Sequence, residues 1–492
     1  MALKIYNTMT RKKEVFVPLC EGKVGMYACG VTVYDFSHIG HARAMVVFDV
    51  IQRYLKSIGY DVTFVRNYTD IDDKIINRAN EQGVAFNEIS ERFIKEFDDD
   101  MRALGVEMPT HTPRATHHIP EMITMVQALI EKGKAYEVDG DVYFSVASFS
   151  GYGKLSGKNP DDLLSGARVD VDERKRSPLD FALWKKSKEG EPYWDCPWGR
   201  GRPGWHIECS AMSQKYLGET FDIHGGGMDL VFPHHENEIA QAECTTGKPF
   251  ARYWMHNGFV NINHEKMSKS LKNFLTIRDV LQNYHPEVVR LFLLSNHYRS
   301  PVDFSDQNLT EAKIGLERFY ALLLDLRTIK KAAKAEGGGL EAAEQAALDE
   351  VRGLPGKFTE AMDDDFNTAA ALGHLYSLTR TLNGIVDRCK KDAGFTLDEA
   401  IARDAQKVFA HAGKVFGLLE NPPAAYFENL KNMGSASHGI SKQEIEGLIA
   451  ERLLARKEKN WARSDEIRNS LAEKGVILKD SPQGTEWSFK QN

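Results

Sequence analysis

Residues 24–82 alternate short apolar runs with helical patterning, and no other feature constrains the fold as strongly. VGMYAC at 24–29 reads as a buried strand, and residues 41–57 read as a helix with an apolar stripe through Val46, Val47, Val50, Ile51, Tyr54 and Leu55. Gly59 stops that helix, a second strand follows over 61–66, and another helix starts at about Asp70. A β-loop-α-β-α order predicts parallel strands covered by helices, because parallel neighbours need a crossover between them. From about 115 to 220 the pattern becomes irregular, with GYGKLSG at 151–157, a charged run at 170–177 and clustered aromatics at 192–205. This stretch reads as an insertion between two halves of one α/β unit. The alternation then resumes: FDIHGGG (221–227) as a strand ending in a glycine turn, PHHENEIAQAE (233–243) as a helix, YWMHNGFVNI (253–262) as a strand.

After about residue 305 long amphipathic helices are expected instead, for example over 309–335 and 366–389, with GGG at 337–339 as a break. GSASHG at 434–439 is small and polar and reads as a flexible linker. Beyond it come a basic helix and two strand-like pieces, VILKD and TEWSF. The length of 492 residues allows about three domains.

Composition excludes several function classes. No run approaches the ~18 apolar residues of a membrane span. The N-terminus lacks the apolar core of a secretory signal, so a cytoplasmic location is expected. Lys and Arg number 63 against 70 Asp and Glu, a net charge of −7, which argues against indiscriminate coating of nucleic acid while leaving local basic surfaces open. Six scattered cysteines are too sparse for a disulfide framework and favour thiols or metal ligands in a reducing compartment.

Three constellations carry chemistry. Cys29-Gly-Val-Thr-Val-Tyr-Asp-Phe-Ser-His38-Ile-Gly40-His41 spans a strand end and a helix start, where a sheet's carboxyl edge and a helix N-terminus favour anions. Two imidazoles around a glycine can hydrogen-bond a phosphate; the alternative is that His38 and His41 cap the helix and Cys29 is a core thiol. Lys266-Met-Ser-Lys269-Ser lies between a strand and a helix, where two lysines can stabilise departing pyrophosphate. Cys29, Cys209, His234 and Glu238 form a thiolate-rich set suited to zinc, with His234 and Glu238 four apart on one helix face. On that geometry His235 turns with Ile239 toward packing. Two unrelated buried thiols and a helix N-terminal acid are the alternative.

HIGH followed far downstream by KMSKS resembles the class I aminoacyl-tRNA synthetases. With YACGVTVYDFSHIGHAR, NYTDIDDKII, GRPGWHIECSAMS, FDIHGGGMDLVFPHHENEIAQAE and EKMSKS, the chain resembles the bacterial cysteinyl-tRNA synthetase family along nearly its whole length. The resemblance implies a Rossmann-like α/β catalytic domain over 1–305 with a connective insertion at about 115–220 and a KMSKS and stem-contact region at about 256–305. A helical bundle over 306–430, a linker over 431–440 and a small mixed α/β anticodon-binding domain over 441–492 follow. It implies a ligase that activates L-cysteine with ATP and Mg²⁺ and then charges tRNA(Cys). It assigns zinc, one per chain, to Cys29, Cys209, His234 and Glu238. ATP falls to His38, Gly40, His41, Asp229, Lys266 and Lys269, with His38, His41, Lys266 and Lys269 catalytic. Thr69 and Trp205 fall in the cysteine pocket. Two departures stand out: Val31 where the family usually has proline, and Lys272 where it usually has glycine.

A pocket that fits cysteine by shape rejects near-isosteres only about a hundredfold, so a thiolate-binding ion suits discrimination against serine. For tRNA, Arg452, Arg456, Lys457, Lys459 and Arg463 recur on a helical segment with Trp461 among them and Trp487 and Phe489 beyond. Basic residues interleaved with aromatics suit phosphate contact and base stacking, although a solvated charged helix has the same pattern. The resemblance to the family's anticodon-reading end favours RNA, and a monomer is expected. The rivals are a cysteine ligase with an amino-sugar acceptor, of the mycothiol type, and a noncatalytic zinc-containing RNA-binding protein. The long C-terminal bundle opposes the first and the paired HIGH and KMSKS motifs the second.

Overall fold

The computed structural model describes residues 2–159, 162, 174–262, 265–266, 275–334, 340–481 and 484–489. At its centre is a four-stranded parallel sheet in the order Ala251–Asn257, Phe221–Gly227, Lys23–Thr32, Asp61–Thr69. The first strand in sequence has its chain successor on one side and the third strand on the other. The sheet therefore reverses direction of growth between Lys23–Thr32 and Phe221–Gly227, the crevice where open α/β sheets bind ligands. The strands are buried along most of their length, as expected of a sheet covered on both faces.

The helix predicted from residue 41 runs over Ile39–Ser57, with His38 as its N-cap and an apolar face buried from Ile39 to Leu55. The second strand continues past residue 66 to Thr69, and the next helix is Asp73–Gln82, N-capped by Asp72. The insertion forms its own five-stranded antiparallel sheet, running 135–138, 141–144, 181–186, 199–203, 194–196. YWMHNGFVNI is two strands rather than one: Ala251–Asn257 closes the parallel sheet, and Val260–Ile262 pairs with Glu265–Lys266 and Val302–Phe304 in a separate three-stranded sheet. GYGKLSG is a docking turn against the helix Glu236–Thr246: Tyr152 Oη donates to Asn237 Oδ1 at 2.5 Å and the Ser156 amide to Glu236 Oε2 at 2.8 Å.

The helical region begins with Asp306–Thr328, which ends seven residues before the expected 335. Lys331 folds back there, and its ammonium donates to the carbonyls of Leu326, Arg327 and Ile329 at 2.9–3.1 Å, satisfying oxygens the helix leaves bare. Lys331–Ala332 then bridges Leu397–Asp398. Residues 337–339 lie outside the described residues. Helices Ala342–Asp363, Thr368–Lys391 and Glu399–Phe416 share one apolar core with the parallel sheet. The buried Arg290 guanidinium ties the two, pairing with Asp49 and donating to the carbonyls of Phe416, Leu104 and Gly105.

The linker expected at 434–439 is corrected: residues 434–438 are the last turns of the helix Pro423–His438, ended by Gly439 in the left-handed conformation. Helices Lys442–Lys457 and Trp461–Glu473 and the hairpin Val476–Ser481/Gly484–Phe489 enclose a separate small core. Among the described residues no helix is long and apolar enough to cross a membrane.

Candidate active site

At the carboxyl end of the parallel sheet the four predicted metal donors come together. Cys29 sits in a β-bulge: Ala28 pairs with Arg66 and Val31 with Tyr68, so Cys29 and Gly30 together oppose Asn67. Gly30 is obligatory there, because a Cβ would lie 1.7 Å from the Asn67 carbonyl oxygen. Cys209 comes from the helix Trp205–Leu217. His234 lies in a kinked segment, Val231–His235, with extended backbone at Phe232, that leads into the helix bearing Glu238.

The four donors converge. Cys29 Sγ is 3.7 Å from Cys209 Sγ and 3.4 Å from Glu238 Oε1, and His234 Nε2 is 3.0 Å from the same oxygen. All four are buried, with their donor atoms within 4.8 Å of one another. Tetrahedral binding by thiolate, imidazole and carboxylate at ordinary bond lengths implies donor separations of about 3.3–3.8 Å, and with pairs at 3.0, 3.4 and 3.7 Å the set could hold one ion after small side-chain shifts. Its electrostatics agree. Burial resists charge on Glu238, yet His224 and His234 hold its carboxyl well below the usual range. Burial likewise opposes the Cys209 thiolate, but the Cys29 hydrogen bond and His234 outweigh it and lower that thiol to about 6. Burial pushes the Cys29 thiol up.

The sequence reading missed part of this cluster. His235, assigned there to packing, places Nε2 3.3 Å from Cys29 Sγ and lies one helical turn before Glu238, at i,i+3. With His224 it completes a second possible donor set that shares Cys29 and Glu238. His224 Nε2 meets Glu238 Oε2 at 2.7 Å and its ring stacks on Trp254. His235 Nδ1 lies 2.8 Å from His256 Nε2, and His206 Nδ1 lies 2.9 Å from His234 Nδ1. FDIHGGG placed His224 at a strand end, which was the available signal; His206 and His256 had none beyond their residue type.

Thr69 and Trp205 flank the cluster. The Thr69 hydroxyl is buried and donates to Glu208 Oε2 at 2.7 Å, while Trp205 is partly exposed and stacks on His234 with centroids 4.1 Å apart. Asp229 is exposed in the turn after Phe221–Gly227. His38 and His41 do cap the helix: each backbone amide faces the other ring's Nδ1, at 3.4 and 3.3 Å, and the rings stack at 3.6 Å. Gly40 lies between them in the first turn. Lys266 has its backbone in the three-stranded sheet, opposite Asn261. Lys269 and Lys272 lie outside the described residues.

The C-terminal residues divide. Lys457, Lys459 and Trp461 are exposed, as is Arg456, which also pairs with Asp480 at 2.7 Å. Arg463 bridges Glu451 and Glu466. Arg452 is buried and bonded through both terminal nitrogens to Asp480, and Trp487 is a core residue, so the stacking role expected of Trp487 is corrected.

Three family models match the chain. Residues 15–314 match the class I (C) tRNA synthetase catalytic domain, residues 357–420 the DALR domain, and residues 441–487 the cysteinyl-tRNA ligase anticodon binding domain. Proteins named cysteine–tRNA ligase from Geobacter sulfurreducens and Geotalea uraniireducens are each 59% identical, and one from Syntrophotalea carbinolica is 56% identical, every pair covering 100% of both chains. Among solved structures, a Mycobacterium tuberculosis methionyl-tRNA synthetase complexed with methionyl-adenylate aligns at TM-score 0.59 and 16% identity, covering 86% of this chain and 95% of that one. An Agrobacterium radiobacter leucyl enzyme in a ternary complex aligns at 0.57 and 13%, covering 83% and 87%. Those two likenesses establish a shared fold.

Proposed function

The chain belongs to the cysteinyl-tRNA synthetases, class I ligases that activate cysteine with ATP and charge tRNA(Cys), and from that membership we propose which of its residues do each part of the work. The observation that carries the assignment is the buried convergence of Cys29, Cys209, His234 and Glu238 at the sheet's switch point, beside the helix that opens with His38 and His41.

Zinc is the ion that two thiols, an imidazole and a carboxylate suit, and when bound it supplies a soft Lewis acid that prefers a substrate thiolate to a hydroxyl. Of the two overlapping sets, the thiol-rich one is the better holder. His224 engages the other oxygen of Glu238 and is placed as a buttress, leaving Oε1 toward Cys29 and His234. His206 faces Nδ1 of His234 and fixes that ring with Nε2 inward.

Thr69 and Trp205 line the cysteine pocket. His38 and His41, with the glycine between them, receive the ATP phosphates at the helix N-terminus, and Asp229 reaches the ribose. The cysteine carboxylate attacks the α-phosphate in line, and Lys266 and Lys269, with Mg²⁺ accompanying ATP, stabilise the departing pyrophosphate. The tRNA 3′ hydroxyl then takes the cysteinyl group from the adenylate. The catalytic unit extends to about 305, the bundle to about 430, and the unit from 441 grips the anticodon end through Arg456, Lys457, Lys459, Arg463 and Trp461. The enzyme works as a monomer in the cytoplasm.

The test is charging of purified tRNA(Cys) with labelled cysteine by protein of measured zinc content. Charging at one zinc per chain, with serine rejected by 10⁴ or more, is expected, about the level translation requires. Equal use of serine, or full selectivity in metal-free protein, would remove the metal from the selection.

A further inference from the structure

We propose that Asn67 and Glu208 are positioning residues of the cysteine pocket: they hold the Thr69 hydroxyl so that it offers only a lone pair, and the corner they form receives the substrate's ammonium group. The proposal rests on the reading that Thr69 lines that pocket. Asn67 stands opposite the Cys29–Gly30 bulge, and its amide orientation is set from that side. Its Oδ1 accepts the Gly30 amide at 2.8 Å and lies 3.7 Å from Cys209 Sγ. This leaves Nδ2 as the atom facing Thr69 Oγ1, at 3.4 Å. The hydroxyl's single proton goes to Glu208 Oε2 at 2.7 Å. A threonine hydroxyl has one proton and two lone pairs, so with the proton and one lone pair engaged, only an acceptor remains.

Glu208 adds a second acceptor. Its Oε1 is buried and has no hydrogen-bond partner among the described residues. Such an atom normally has one, because leaving a buried polar group unpaired is costly. The Thr69 lone pair and Glu208 Oε1 are two acceptors side by side, which an ammonium with three N–H groups matches and a carboxylate, itself acceptor-only, does not. Cysteine would thus bind with its ammonium at Thr69 and Glu208, its thiol toward Cys29 and Cys209, and its carboxylate turned out toward the nucleotide.

Cobalt-substituted protein provides a readout independent of activity, since a thiol ligand on cobalt alters the charge-transfer absorption. Two probes separate the substrate's groups: cysteamine keeps the ammonium and lacks the carboxylate, and 3-mercaptopropionate keeps the carboxylate and lacks the ammonium. At one cobalt per chain, Glu208→Met is expected to weaken cysteamine about tenfold or more while leaving 3-mercaptopropionate within about twofold. Glu208→Gln, which keeps one acceptor for the Thr69 proton but replaces the second by an NH2 group, should recover only part of the loss. Should Glu208→Met not take up cobalt, Glu208→Asp, with its shorter reach to Thr69, carries the same expectation. Equal weakening of both probes would reduce Glu208 to a structural residue and overturn the proposal. Thr69→Val that weakens cysteamine while the Glu208 variants bind both probes normally would overturn it too, with the pocket reading left standing. Thr69→Val without effect on either probe would overturn the pocket reading itself.

Discussion

Cys209 is the residue on which the metal reading turns, since it is buried, lies 3.7 Å from Cys29 Sγ, and comes from a different element than the other donors. Serine is nearly isosteric, so Cys209→Ser should leave the core folded. Zinc content should nevertheless fall well below one per chain, and cysteine affinity should drop at least tenfold with ATP affinity intact, as metal analysis and separate titrations would show. A thiol that merely packs would lose neither zinc nor cysteine binding. The donor quartet was legible because its residue types and neighbouring words stand in the sequence. His235 was not, because the i, i+4 spacing alone does not reach it, whereas residues three apart share a helix face as well and His235 stands three before Glu238. The two C-terminal tryptophans make the same point. Trp461 is 59% exposed and Trp487 is 7% exposed, a difference that composition cannot reveal. Trp461→Ala should weaken tRNA charging with unfolding unchanged, whereas Trp487→Ala should cost the small C-terminal core about 3–5 kcal/mol. Thermal unfolding and charging measured side by side would distinguish the roles, and matching profiles for the two variants would refute them.

At the scale of elements, close approaches account for most differences between sequence pattern and structure. GSASHG has a linker's composition, yet Gly434 is small because the Phe489 ring lies where a Cβ would be, 2.1 Å from Cδ2, and the helix continues to His438. The hairpin Val476–Ser481/Gly484–Phe489 is held to the helix Lys442–Lys457 by Asp480, which receives Arg452 at 2.9 Å and Arg456 at 2.7 Å. Hydrogen bonds from Arg452, then Thr485, hold the Asp480 carboxyl well below the usual carboxylate range. A carboxyl depressed on folding stabilises above its unfolded value, about 4, and the contribution disappears as pH falls below that through the folded value. Asp480 is 39% exposed, so solvent screening limits the effect to about 1 kcal/mol. Asp480→Asn should therefore lower the unfolding midpoint at about pH 6, read by Trp487 fluorescence, and the difference from wild type should shrink toward about pH 2. A difference that stays constant across that range would mean the carboxylate's charge is not what holds the hairpin.

Across the whole molecule, the described residues form three apolar cores, and only one of them is confined to the C-terminal unit. The parallel sheet and the bundle share one core that reaches Tyr426, and the C-terminal core starts at Ile440. Sequence alternation revealed the α/β half because apolar period and crossover length are local, whereas the joining of sheet to bundle was illegible. That join depends on Arg290 meeting Asp49 and the Phe416 carbonyl, residues far apart in the chain. The C-terminal unit meets the bundle through the helix Pro423–His438: His438 stacks on Phe489 at 4.7 Å, and Lys431 lies 5.0 Å over Trp487. Every residue assigned to cysteine or ATP precedes residue 270, and none is among the residues of the C-terminal core. A chain ending at Gly439 should therefore retain cysteine-dependent exchange of pyrophosphate into ATP within about twofold. It should lose tRNA charging at least tenfold, because the exposed Lys457, Lys459 and Trp461, proposed to grip the RNA, leave with the unit. The helix Pro423–His438 would lose its cover over Gly434, so a modest fall in unfolding temperature should accompany the cut without loss of exchange. Loss of exchange and charging in parallel would show that the C-terminal unit supports the catalytic core. Charging left intact would move the RNA grip onto the bundle.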